Sequence, residues 1–324
     1  MVSLLDRCLG CLLGCAVGDA LGAPHEGLWP HQIPAKKRLL GGFIEIEGYP
    51  RGQYTDDTQL SVATVQSLVK CGELSLSHIA HSIARLWKKQ LVIGPGGACT
   101  HAANTFLRTR DWKSCGAPVG QAGNGTAMRT AVLGLYFLAE PEKLPAAVAD
   151  VSRITHQDPR SIAGGVAIAK AAQLLAVDQA DSAIGFCTTI ATAMTPYYGD
   201  FAEHVRRLPD LLGKDLDEVL PKIAWAGMDR AEFTQPIITP FVIPTVLASL
   251  WCLLQGTDSW SDVVAKAIGL GGDVDTLGAI VGALAGAKLG VSAIPRHLID
   301  GVLDSEKLQG LAARYYTLAA RQLQ

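Results

Sequence analysis

A chain of 324 residues with 28 Lys+Arg against 30 Asp+Glu carries a formal net charge of −2, and 49% of it is hydrophobic. That balance excludes disorder as the main state and argues against a sequence-blind binder of nucleic acid. Aromatic residues reach only 6% while glycine alone counts 34, so a core built from this text brings backbones close together, and its alanine content leans it towards many packed helices.

Residues 3–22 place apolar side chains at helical spacing, which predicts a buried first helix. Within it Cys8, Cys11 and Cys15 share one face. With no second Cys/His pair nearby they read as a buried, reduced surface rather than a metal site. The other five cysteines are scattered, as in a protein of the reducing cytosol. Leu12–Cys15 resembles a lipoprotein cleavage box, but Asp6 cancels Arg7 where a basic segment would be needed, and Gly18-Asp19-Ala20 reads as continued structure. No apolar run approaches the roughly 20 residues of a membrane span. A cytoplasmic protein without membrane or nucleic-acid partners is therefore expected.

From Gly22 to Gln53 prolines and glycines interrupt every pattern, giving a long irregular segment of the kind more often functional than idle. Phe43–Glu47 is the best strand candidate in the chain. Thr55–Lys70 predicts a helix with Thr55 as its cap and Asp56 and Asp57 in its first turn. Gly94–Gly97 precedes a helix through Leu107, and the Gly116–Gly125 stretch leads into another over 126–138. Asp158 and Pro159 make a clear helix start, running through Ala176. Further helices are predicted at 182–194, 202–212, 215–227, 240–255 and 259–269, then at 274–289 behind Gly271-Gly272-Asp273, and at 305–323. No linker, charge block or repeat divides the text, so residues 1–324 are expected as one all-α domain.

Two helix starts are acidic in the same way: Thr55-Asp56-Asp57-Thr58 and Asp273-Val274-Asp275-Thr276. Either alone reads as ordinary capping. As a pair they offer four carboxylates and two hydroxyls, the oxygen set that hard cations such as Mg²⁺ prefer, and four negative charges that would repel one another without cations. Asp273 at a cap position could bend its side chain towards Asp275 and Thr276.

These tetrads occur in order with Gly18-Asp19-Ala20-Leu21-Gly22-Ala23-Pro24-His25-Glu26, Gly123-Asn124-Gly125-Thr126-Ala127-Met128-Arg129 and Thr155-His156-Gln157-Asp158-Pro159. The set resembles the ADP-ribosylglycohydrolases, in particular the dinitrogenase-reductase-activating glycohydrolase type, over nearly the whole chain. The resemblance implies an orthogonal all-helical bundle with two Mg²⁺ ions in a cleft, Mn²⁺ being an alternative at such oxygen sites. It places Thr55, Asp56 and Asp57 on one ion, Asp273 and Thr276 on the other, and Asp275 between them. It puts the family's mobile acid on Glu26 and a cleft histidine on His156. Gln121, Gly123, Asn124 and Gly125 would receive a diphosphate through backbone N–H groups. Asp19 is either a substrate-side residue or a buried partner of helix termini, Asn124 holds its loop, and Arg129 pairs with an acid behind the cleft. Val274, Leu277 and His101 depart from the family's usual text. The Gly94–His101 stretch and Gln121-Ala122 line the region that distinguishes substrates.

The implied activity is hydrolysis of the bond between the distal ribose of ADP-ribose and an acceptor, foremost a protein arginine. Glu26 would manage protons while Asp57 and Asp275 orient water. The alternatives are a hydrolase of O-linked ADP-ribose, on serine or in a small ester, and a non-catalytic ADP-ribose-binding or structural relative. The partner is an ADP-ribosylated protein or an ADP-ribose-containing small molecule, met by a monomer.

Overall fold

The computed structural model describes residues 2–45, 48–179, 182–228, 235–255 and 258–323. Among them run sixteen α-helices: α1 (Leu4–Gly22), α2 (Lys36–Leu39), α3 (Asp56–Cys71), α4 (Leu76–Lys88), α5 (Gly97–Thr109), α6 (Ala127–Tyr136), α7 (Leu144–Arg153), α8 (Pro159–Ala176), α9 (Ala183–Met194), α10 (Gly199–Arg206), α11 (Leu216–Ala224), α12 (Val242–Leu253), α13 (Trp260–Ile268), α14 (Val274–Leu289), α15 (Arg296–Gly301) and α16 (Ser305–Arg321). The all-α expectation holds, and most helices lie within a few residues of their predicted bounds. Helices α2, α4, α7 and α15 fall where no helix was predicted, the single turn of α2 lying inside the segment expected to be irregular. The 202–212 segment divides into α10 and a 3₁₀ turn over Leu208–Leu211.

The strand expected at Phe43–Glu47 does not form over 43–45, and its last two positions lie outside the described residues. A strand is stable only when a neighbour completes its ladder. Among the described residues only isolated bridges occur, none of them at Phe43, Ile44 or Glu45. The irregular segment also contains short 3₁₀ turns at Ala23–His25 and Pro30–Gln32.

Helix α14 is apolar on all sides and every residue from Val274 to Ala287 is buried, as befits the centre of a bundle. Helix α1 packs along it in the opposite direction. Gly10, Gly14, Gly18 and Gly22, one per helical turn, face Gly286, Gly282, Gly278 and the Val274–Asp275 backbone. A Cβ on any of these glycines would come closer than 3.0 Å to a backbone atom of the other helix. The glycine excess is thus spent on bringing two helices into backbone contact. Cys8, Cys11 and Cys15 lie buried on α1, all three as free thiols. At the far end of the seam the buried Arg7 donates from Nη1 to Leu175 O (2.9 Å), Ala287 O (3.0 Å) and Lys288 O (2.8 Å), joining the C-terminal carbonyls of α8 and α14. No helix among the described residues is long and apolar enough to cross a membrane.

Candidate active site

Because α1 and α14 run antiparallel, the last turn of α1 meets the first turn of α14. Helix α3 begins at the same place. Its cap, Thr55, has an extended backbone and accepts a hydrogen bond from Asp57 N at 3.4 Å, as predicted. The anchor beneath it is Asp19, near the end of α1. The fully buried Asp19 carboxylate accepts from Thr55 N (3.0 Å), Thr55 Oγ1 (3.1 Å), Thr58 N (3.1 Å) and Thr58 Oγ1 (2.6 Å). These donors hold Asp19 at the start of α3, and it is not among the residues that line the cleft.

The start of α14 is placed by close contact instead. Gly27 N donates to Gly272 O (2.8 Å) and Gly272 N to Leu28 O (2.8 Å), while Asp273 N donates to Ile238 O (2.8 Å). Gly272, at φ +86°, lies so close to Ile238 O that no side chain fits there. Asp273 stands at the cap position of α14, and its carboxylate turns to accept from Asn124 Nδ2 at 2.5 Å. Asn124 also donates to Thr245 Oγ1 (3.0 Å), so it holds loop geometry as expected.

The two acidic helix starts thus face one cleft of about 170 Å³. Glu26, Asp56, Asp57, Asp273, Asp275 and Thr276 line it together with Gly123, Asn124, Gly125 and His156. Glu26, Asp273 and Asp275 each place a carboxylate oxygen within 4.8 Å of the others. Gln121 is exposed and does not line the cleft, and neither does His101, because each points outward from its loop or helix. Within the Gly123–Gly125 loop the Asn124 N–H is committed to Pro240 O (3.0 Å), and both glycines line the cleft. Cys99, Met128 and Pro240 also line the cleft. Cys99 falls in the Gly94–His101 stretch and Met128 in the Gly123–Arg129 motif, but neither has a role of its own in the sequence reading, and nothing there points to Pro240, since apolar and thiol side chains carry no spacing signal for a polar site.

Electrostatically the cluster is uncompensated. Burial raises the carboxyl groups of Asp56, Asp57 and Asp275 well above the usual range, and their mutual repulsion together with Asp273 and Asp19 adds to it. Burial also raises Asp273, Glu26 and Asp19, the last to about 6. Among the described residues none of these six carboxylates forms an ion pair, and the buried Asp57 Oδ1 has no hydrogen-bond partner. Oxygen donors packed this way, with an orphaned atom and no cation beside them, fit a hard divalent ion.

The opposite wall is neutral. His156, buried by Gly123 and Gly125, is pushed down to about 3 by burial and by the charge of Arg129. Arg129 is 1% exposed and, contrary to expectation, no acid pairs with it among the described residues. Its Nε donates to Gly125 O (3.0 Å) and its Nη2 to Val151 O (3.1 Å) and Thr155 Oγ1 (2.7 Å), while the buried Nη1 has no hydrogen-bond partner among the described residues. Backbone carbonyls and a hydroxyl supply the partial negative charge an acid would have supplied. Asp158 caps α8 through Arg160 N (2.9 Å) and also accepts from Gly120 N (2.8 Å), tying the glycine loop to the histidine turn.

Known proteins share this arrangement of sequence and fold. Across 90% of this chain and 89% of its own length, the ADP-ribosyl-[dinitrogen reductase] glycohydrolase of Rhodospirillum rubrum is 30% identical. The ADP-ribosylarginine hydrolase Tri1 of Serratia proteamaculans is 25% identical across 98% and 81% respectively, and human ADP-ribosylhydrolase ARH3 is 26% identical across 90% and 87%. A solved structure described as an ADP-ribosylglycohydrolase-related protein complex superposes with a TM-score of 0.73 at 27% identity, covering 98% of this chain and 100% of that one. The sequence model of the ADP-ribosylglycohydrolases matches residues 1–324. With the acidic cleft and the helical bundle, these matches identify the chain as a member of the ADP-ribosylglycohydrolase family, whose named relatives are hydrolases.

Proposed function

We propose that this protein is a Mg²⁺-dependent hydrolase that frees ADP-ribose from arginine side chains of modified proteins. The observation that carries the reading is the meeting of two acidic helix starts with Glu26 in one cleft, without a cation among the described residues to balance them. Arginine as acceptor is favoured by the relative named for ADP-ribosylarginine.

Thr55, Asp56 and Asp57 would hold one ion, Asp273 and Thr276 the other, with Asp275 shared. When bound, the pair would supply the charge that balances the carboxylates and the Lewis acidity that polarises ribose hydroxyls and water. The remaining work falls to the chain itself. Glu26, at the mouth and raised by partial burial of its carboxyl and by Asp273, takes a proton from the attacking water and returns one to the departing guanidine nitrogen. Asp57 and Asp275 orient that water, and Asn124 keeps Asp273 turned inward. Gly123 and Gly125, having no side chains, admit the diphosphate to the backbone.

The test is a panel of arginine-, serine- and ester-linked ADP-ribose substrates, each assayed with Mg²⁺, with Mn²⁺ and with chelator. Release from arginine that stops on chelation supports the proposal. Activity indifferent to chelator refutes the metal assignment, and release confined to serine or ester linkages refutes the acceptor.

A further inference from the structure

The neutral wall of the cleft contains a hydrogen-bond chain that the proposed reaction does not yet use. Thr155 Oγ1 accepts from Arg129 Nη2 at 2.7 Å and lies 2.9 Å from His156 Nδ1. The hydroxyl has one proton to give. Its other neighbour, Ser152 O, is 3.4 Å away and already accepts from Thr155 N (3.0 Å) and His156 N (2.9 Å), which fills both of its lone pairs. The hydroxyl proton therefore goes to Nδ1. Were Nδ1 protonated instead, the hydroxyl would have only the long 3.4 Å bond to Ser152 O, shared with two shorter N–H bonds, so the shorter 2.9 Å contact to a bare Nδ1 is the better use of its proton.

We infer that Arg129 and Thr155 are positioning residues that fix the tautomer of His156 with its proton on Nε2, making that nitrogen a hydrogen-bond donor towards an acceptor oxygen of the ligand in the cleft. The direction fits the surroundings. A Cβ on Gly123 would lie 3.2 Å from Nε2, so that nitrogen faces the glycine wall of the cleft. Burial and the Arg129 charge keep the ring unprotonated, at about 3, so it can donate from Nε2 only as the neutral tautomer. The same guanidinium holds Gly125 O at the start of α6 and Val151 O in α7, which couples the glycine loop to the histidine. The ligand part of this inference rests on the reading of the cleft as an ADP-ribose site; the tautomer part stands without it.

The test is long-range ¹H–¹⁵N correlation on protein labelled at its 8 histidines, with His156 assigned from the signals lost in His156→Gln. The expected spectrum shows a bare Nδ1 and a protonated Nε2, unchanged from about pH 5 to 8. Thr155→Val should mix the tautomers and weaken ADP-ribose binding roughly tenfold by titration calorimetry, whereas Thr155→Ser should keep both near wild type. A wild-type ring protonated on Nδ1 overturns the inference even if no variant folds. A Thr155→Val protein that keeps the wild-type tautomer overturns the role of Thr155. If the wild-type tautomer is as inferred and ADP-ribose does not bind, the reading of the cleft fails while the hydrogen-bond chain stands.

Discussion

The start of α3 and the start of α14 present nearly the same residues to the cleft, yet they are fixed by opposite means. Helix α3 is tethered by polar bonds, with Asp19 accepting from two backbone N–H groups and two hydroxyls. Helix α14 is wedged by missing side chains, since glycines on α1 and in its own approach let backbones touch. A tether sets direction through hydrogen bonds that each contribute about 1 kcal/mol or a little more, whereas a wedge sets distance through repulsion that rises steeply. One acidic cluster held by both gains orientation from the first and position from the second.

The comparison can be broken at several points. The largest effect is expected from Asp275→Ala. Hydrolysis should fall about 10³-fold or more, about 4 kcal/mol of barrier, while the metal-free protein should melt at a higher temperature, because a buried carboxylate repelled by Asp273, Asp57 and Glu26 is gone. A lower metal-free melting point would show that repulsion in the cluster is already relieved. Next comes the wedge. Gly18→Ala forces a methyl group into the Gly278 carbonyl and should destabilise by about 3 kcal/mol in denaturant titration; an unchanged midpoint would mean the seam can open freely.

The tether should yield less. Asp19→Asn keeps the size but turns an amide towards the α3 donors, so a loss of about 2 kcal/mol is expected, with Mg²⁺ affinity lowered 10- to 100-fold in titration calorimetry. Stability should also follow pH. The cluster carboxylates are raised in the folded chain above their unfolded value of about 4, so their contribution is fully present below that value. It is lost as pH climbs through the raised folded values, about 6 for Asp19. In chelator the melting temperature should therefore fall between pH 5 and 8, and saturating Mg²⁺ should flatten that fall. The smallest change is Gln59→Ala. Its side chain bonds Ile93 N (3.0 Å) and Leu91 O (2.9 Å), stapling the Gly94–Gly97 wall to α3, and its removal should cost about 1 kcal/mol or less with a modest rise in KM.

Much of this division was legible beforehand. The tetrads announced themselves because helix starts have strict local chemistry, and Asp158-Pro159 did so for the same reason. Helix α4 could have been read as well, with Ser75 at its cap and Leu76, Ile79 and Ile83 at helical spacing. Glu26 is different: nothing local separates it from a solvated loop acid, and only the resemblance pointed to it. Asp19 was open to reading as a buried partner of helix termini, but its bonds to particular donors and the Arg129–Thr155–His156 chain were out of reach for a physical reason. They join residues 36 positions apart in one case and 26 in the other, and no local preference encodes a bond that exists only after packing. Gln121 and His101 teach the converse, since lying next to a cleft residue in sequence does not decide which way a side chain faces.

The seam between α1 and α14 has a consequence in time. Arg7 and Ala287, which it joins, are 280 positions apart, and at about 5–20 residues per second a ribosome needs on the order of 15–60 s to cover that stretch. For that interval α1, with its apolar, cysteine-bearing surface, has no α14 to lie against. Both the wedge and the tether draw on α1, so the cleft is among the last features to assemble, and a chain halted before α14 would expose that surface to other chains without ever forming the site.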